Sequence, residues 1–164
     1  MNQQLFNTSI ISGAEFSDCR LYRYKLWRIW DESKPVLNVV GLNPSTADET
    51  NNDPTITRCI NYARAWEYGG LVMTNIFAFR ATDPKEMKRQ AEPIGADNDD
   101  WLKREAAAAG LVLAAWGKDG AFMNRGEAVR QMLGELHCLR ITKEGHPHHP
   151  LYLPKTLMPI PYHA

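Results

Sequence analysis

Two polar, proline-stiffened segments carry the residue types that do chemistry: Gly41-Leu42-Asn43-Pro44-Ser45-Thr46-Ala47-Asp48 and Gly145-His146-Pro147-His148-His149-Pro150-Leu151. Asn43 offers an amide oxygen and an NH2 group on a short stem, suited to orienting a water or holding a ligand. The same residue type also closes turns by bonding its own backbone, and both readings are open. His146, His148 and His149 form the densest histidine cluster of the chain. Such a cluster reads as a donor opposite developing negative charge, as a solvated loop, or, last, as a metal site completed by Asp48 or Asp53. Its spacing fits no strong zinc motif, so no metal or other cofactor is expected.

Asn75 interrupts the apolar run 71–77, where a buried amide must find partners. It either ties neighbouring loops together or reads the edge of a ligand with paired donor and acceptor atoms. Phe77, Phe79, Trp116 and Tyr152 offer faces for stacking on a planar ring, although most aromatics fill cores. Arg58, Arg64, Arg80, Lys85, Lys88 and Arg89 read either as a basic rim or as scattered surface charge.

The elements that must position these residues are legible as alternating strands and helices. Buried strands are predicted over 36–40, 71–77, 111–116 and 137–142. Asp53-Pro54 starts a helix that Gly69-Gly70 closes, and Asp83-Pro84 repeats that start signal. Further helices are expected over 97–109 and 127–133. The alternation from Arg20 to Trp30, followed by a turn over Asp31–Pro35, predicts an N-terminal β-hairpin over about residues 18–40. Strands alternating with helices argue for a parallel sheet, whose carboxyl edge would gather the polar loops 43–53, 75–83, 117–125 and 143–152 into one ligand site.

At 164 residues the chain is expected to be a single domain. Its 19 Lys and Arg balance 19 Asp and Glu, so no global positive field recruits polyanions and any nucleic-acid contact must rest on a local patch. No apolar run is long enough to span a bilayer, and the first residues lack a signal-peptide layout. A cytoplasmic protein without membrane partners is expected. Cys19, Cys59 and Cys138 are scattered and odd in number, which fits reduced thiols.

The succession of a strand, Gly41-Leu42-Asn43-Pro44-Ser45, a strand ending in Asn75, Val112-Leu113-Ala114-Ala115-Trp116-Gly117 and His146-Pro147 resembles the uracil-DNA glycosylase superfamily. The resemblance implies a three-layer α/β/α fold with a four-stranded, mainly parallel sheet, its core over about residues 36–152. It implies that Asn43 positions the attacking water, Asn75 reads the base and His146 stabilises charge on the departing base. Leu151 or Tyr152 would be the wedge that fills the gap left by a flipped nucleotide. Pro44, Ser45, Phe77, Trp116, His148 and His149 complete the implied substrate-binding set. The implied partner is DNA or a small molecule containing a nucleobase, and the implied reaction is hydrolysis of an N-glycosidic bond. An enzyme or binder of free nucleotides or nucleosides, and a non-catalytic nucleic-acid-binding module, are the alternatives. Residues 42–48, with Asp53-Pro54-Thr55-Ile56, Ala81-Thr82-Asp83-Pro84 and His149-Pro150-Leu151-Tyr152, also resemble a bacterial family of unknown function (domain of unknown function 1643).

Overall fold

A strand of β-branched and apolar residues, β3 (Val36–Gly41), lies at the centre of the fold and is buried on both faces. This computed structural model describes residues 9–163. Two strands precede β3 in the chain, β1 (Ile11–Phe16) and β2 (Arg23–Ile29). After it come β4 (Gly70–Asn75), β5 (Leu111–Ala114), β6 (His137–Cys138) and β7 (Ile160–Pro161). All join one sheet in the order β1-β2-β4-β3-β5-β6-β7.

The four inner strands β4, β3, β5 and β6 run parallel and correspond to the four the sequence pattern predicts, although β4 and β5 end two residues early and the strand expected over 137–142 is reduced to His137–Cys138. The sheet nevertheless has seven strands rather than four. Antiparallel pairing adds β1 and β2 beyond β4, and β7 beyond β6. Of these additions β2 is the strand expected from the alternation over Arg20–Trp30, whereas β1 and β7 escape sequence reading because β1 is largely exposed and β7 is two residues long.

The expected hairpin over 18–40 is also corrected. β2 pairs with β1 on one side and β4 on the other, so the hairpin is β1–β2 and β4 separates β2 from β3. The turn-like segment Asp31–Pro35 bridges across the start of β4 instead of folding β2 onto β3. Trp30 N and Asp31 N donate to Gly69 O, while Gly69 N donates to Pro35 O at 2.8 Å. A Cβ on Gly69 would lie 2.0 Å from Asp31 O and 2.9 Å from Lys34 O. Gly69→Ala should therefore push on backbone that cannot yield, and urea unfolding should show a loss of about 3 kcal/mol.

Side chains alternate across the pleat and build a core on each face. On one face Leu37, Val39, Leu71, Met73 and Leu113 pack against helix α1 (Pro54–Ala65), through its Ile56, Cys59, Tyr62 and Ala63. Asp53 caps α1 by accepting from Ile56 N, with Pro54 in the first turn. On the other face Val40, Ala114 and Cys138 meet Met87 of α2 (Pro84–Lys88), Leu102 of α3 (Asn98–Ala108) and Val129 of α4 (Arg125–Leu133). The result is three layers, α/β/α. No helix among the described residues is long and apolar enough to cross a membrane.

Candidate functional site

The parallel strands run so that their carboxyl ends share one edge. The chain leaves β3 toward α1 on one face, and leaves β5 through a 3-10 segment (Lys118–Asn124) toward α4 on the other. This divergence of neighbouring connections opens a crevice at the edge of an open α/β sheet. A cleft of about 600 Å³ lies there, lined by residues of all four polar loops expected to meet at this edge.

From the first loop come Asn43, Pro44, Ser45 and Thr46, with Asp53 at the start of α1. The Asn43 NH2 donates to Ala81 O at 2.8 Å and to Pro44 O at 3.1 Å, so the amide ties this loop to the one after β4. The nitrogen of Asn43 is thus structural, while its oxygen accepts no bond from the described residues. Asp53 Oδ1 accepts from Ile56 N at 2.9 Å, which leaves Oδ2 uncommitted.

Asn75, at the end of β4, is 2 % exposed and lines the same cleft. Its carbonyl accepts from Asn98 Nδ2 at 2.8 Å, and Asn98 also donates to Ile76 O, as does Arg125 Nε. This buried polar brace fixes the backbone from which the amide projects. Asn75 lines the cleft, and its Nδ2 has no hydrogen-bond partner among the described residues. It passes over Gly41, where a Cβ would stand 3.0 Å away.

His149, Pro150 and Leu151 close the cleft from the carboxyl-terminal side. Gly117 N donates to Pro147 O and His148 N to Arg140 O, both at 2.8 Å, which pins the histidine segment to the loop after β5 and to the chain just beyond β6. Helix α1 holds residues 153 and 154: Arg58 Nη1 donates to Leu153 O and the Tyr62 hydroxyl to Pro154 O. His149 Nδ1 accepts from Leu151 N at 3.2 Å, so the neutral ring carries its proton on Nε2 as a donor. Burial and the neighbouring His148 hold the His149 pKa below the ordinary imidazole value of 6.5, with Asp53 opposing them.

This lowered pKa couples stability to pH. The unfolded chain takes up the proton more readily than the folded one, so acidification favours unfolding. The contribution of neutral His149 is complete above about pH 6.5 and is lost as pH falls through the lower folded value. Thermal melts from pH 7.5 to 5 should show this decline, and His149→Gln should flatten it.

Of the remaining sequence candidates only Trp116 reaches the cleft. His146 lines a separate depression of about 260 Å³ with Glu127, Glu144 and Tyr162. Trp116 borders both cavities, is 3 % exposed, and meets Tyr162 edge to face. Phe77 is fully buried beside Phe122 in the core. His148 is half-buried and outside the cleft lining, its Nδ1 bonded to His149 O. Tyr152 comes directly after cleft-lining Leu151 but is 95 % exposed, with a left-handed φ of 71°. Phe79 packs edge-on against Tyr22. Among the described residues no three His, Cys, Asp or Glu side chains group as a metal site.

Sequence reasoning missed Arg23. It lines the cleft and is 2 % exposed, yet forms no salt bridge among the described residues. Nη1 donates to Ala47 O at 3.0 Å and Nη2 to Asn75 Oδ1 at 3.4 Å, while Nε has no partner. Burial pulls its pKa down to about 10, which leaves it charged at neutral pH. No sequence signal marks it: alternation along β2 would put Arg23 on the side of Lys25, and the structure breaks that alternation by burying both Arg23 and Tyr24.

A three-layer α/β/α domain with a polar cleft at the carboxyl edge of its parallel strands is the class these features define. Within it, the chain belongs to the family described as a protein of unknown function (DUF1643), whose model matches residues 23–151. That span takes in Arg23, Asn43, Asn75, His149 and Leu151. No curated protein and no solved structure matches the chain.

Proposed function

We propose that the cleft binds a nucleobase and that the protein hydrolyses the N-glycosidic bond of a base in DNA, in the manner of the uracil-DNA glycosylases it resembles. The observation that carries this reading is the meeting of Asn43, Asn75 and a histidine around one cleft at the carboxyl edge of the sheet. The histidine is His149, three residues beyond the one the superfamily pattern suggests.

In this reading the base enters the cleft with one ring edge against Asn75 Nδ2. Asn43 Oδ1 accepts a hydrogen bond from a water and aims it at the sugar carbon. An amide cannot take that water's proton, whereas Asp53 brings a carboxylate with an uncommitted oxygen to the same cleft. Water forms the new C–O bond as the C–N bond breaks, its electron pair leaving with the base. His149 Nε2–H donates to the negative charge that develops on the base, where a preorganised donor lowers the barrier. The proton given up by water balances the one the free base takes up.

The charge balance favours a second reading, in which the substrate is a free nucleoside. One screen tests both: single- and double-stranded oligonucleotides carrying uracil, mismatched and damaged bases, and the corresponding nucleosides. Base release from an oligonucleotide supports the glycosylase reading, and release from nucleosides alone supports the second. No release from any substrate, with base binding retained, leaves a non-catalytic nucleobase-binding module.

A further inference from the structure

The pairing of β1 with β2 slips near its end: Glu15 faces Lys25 but Phe16 faces Arg23, which leaves Tyr24 as an extra residue in β2. A bulge of this kind reverses which side of the sheet the adjoining side chains occupy and serves to re-aim a side chain. Without it, Arg23 would share the half-exposed side of Lys25 and Trp27. With it, the guanidinium is turned inward beneath the cleft, where it links three segments: its own strand, the loop after β3 at Ala47, and the end of β4 at Asn75.

A free amide can rotate to offer a ligand either its oxygen or its NH2 group. Beside Arg23 that freedom is lost. The guanidinium has only donors, so Asn75 must turn Oδ1 toward it, and the reverse orientation would set N–H against N–H in a buried space. The contact is long at 3.4 Å, but its polarity is forced. No carboxylate forms an ion pair with Arg23 among the described residues, and Asp53 of the same cleft acts on its charge only from a distance, so that charge also reaches whatever the amide holds.

The geometry points to Arg23 as a specificity-determining positioning residue. By holding Asn75 Oδ1 it leaves only the amide NH2 for the ligand, so the cleft selects ring edges bearing a carbonyl oxygen over edges bearing an amino group. This inference rests on the nucleobase reading above and adds to it the residue that sets the choice of base. A merely structural arginine would lower stability when replaced and leave the ratio of affinities unchanged.

The test is calorimetric titration of the full chain with two matched pairs, uracil against cytosine and hypoxanthine against adenine, together with thermal melts. Wild type should prefer the carbonyl member of each pair by about tenfold or more, since a site built to donate leaves its donor unpaired against an amino group. R23M should bring both ratios to within about threefold. N75D provides a readout that does not depend on R23M folding: its carboxylate gains Arg23 as a partner, so its melting temperature should rise above that of wild type at pH 7. Base binding by wild type without a carbonyl preference overturns the inference while sparing the nucleobase reading. A folded R23M that keeps the wild-type ratios, or a lowered melting temperature for N75D, overturns it equally. Wild type that binds none of the four bases overturns the nucleobase reading and this inference together.

Discussion

His149→Ala is expected to lower single-turnover base excision by about one hundred-fold or more on the best substrate, the scale of losing one preorganised donor to a developing anion. The proposed role uses the ring's local bonding: Leu151 N donates to Nδ1, which leaves Nε2–H as the donor of a neutral ring that lines the cleft. Because the charge on the base grows between the bound state and the transition state, the loss should fall mainly on the chemical step. Affinity for an uncleavable substrate analogue should change by less than about tenfold. His146 lies in the neighbouring depression, so His146→Ala should leave the rate within about twofold. A reversal of the two results would return the donor role to His146 and remove it from His149.

Trp116→Ala should cost about 3–5 kcal/mol of stability, the range for truncating a large buried aromatic. The indole forms the wall between the two cavities. It is packed so closely that a Cβ on Gly120 would lie 2.2 Å from its ring, and one on Gly126 2.7 Å. Such contact on both sides belongs to a core residue. Chemical denaturation of the alanine variant measures the loss directly. A stacking platform would behave differently, with stability within about 1 kcal/mol of wild type and a large loss of base affinity. Trp116→Phe, which keeps an aromatic ring edge toward Tyr162, should recover part of the stability.

The central fold is readable because its signals are local. The valine-rich β3, the Asp53-Pro54 and Asp83-Pro84 helix starts, and the apolar β4 each declare themselves within a few residues. The features that stay hidden depend on partners distant in the chain. β2 carries the alternation of a half-exposed strand, but nothing in it says whether β3 or β4 lies alongside; that is settled by Gly69 fitting beneath the Asp31–Pro35 segment. Arg23 reads as a solvent-facing position of an alternating strand, and only the bulge at Tyr24 reverses it. Within the histidine segment, no local pattern tells which ring meets the cleft. Backbone bonds from Thr142 N to His146 O and from Gly117 N to Pro147 O turn the chain so that His146 and His149 line different cavities. Asn43 and Asn75 are easier, because each stands just beyond or at the end of a core strand and so must lie at its carboxyl edge.

The claim on which the proposed chemistry depends is that a nucleobase sits against Asn75. Titrating nitrogen-15-labelled protein with bases, while recording side-chain NH2 and imidazole resonances, tests it most directly. The expected result is saturable shifts of the Asn75 NH2 and His149 signals with one common dissociation constant, while the His146 signal stays still. Saturable base binding that moves the His146 resonances and leaves Asn75 unchanged would contradict it, as would the absence of any shift up to millimolar base.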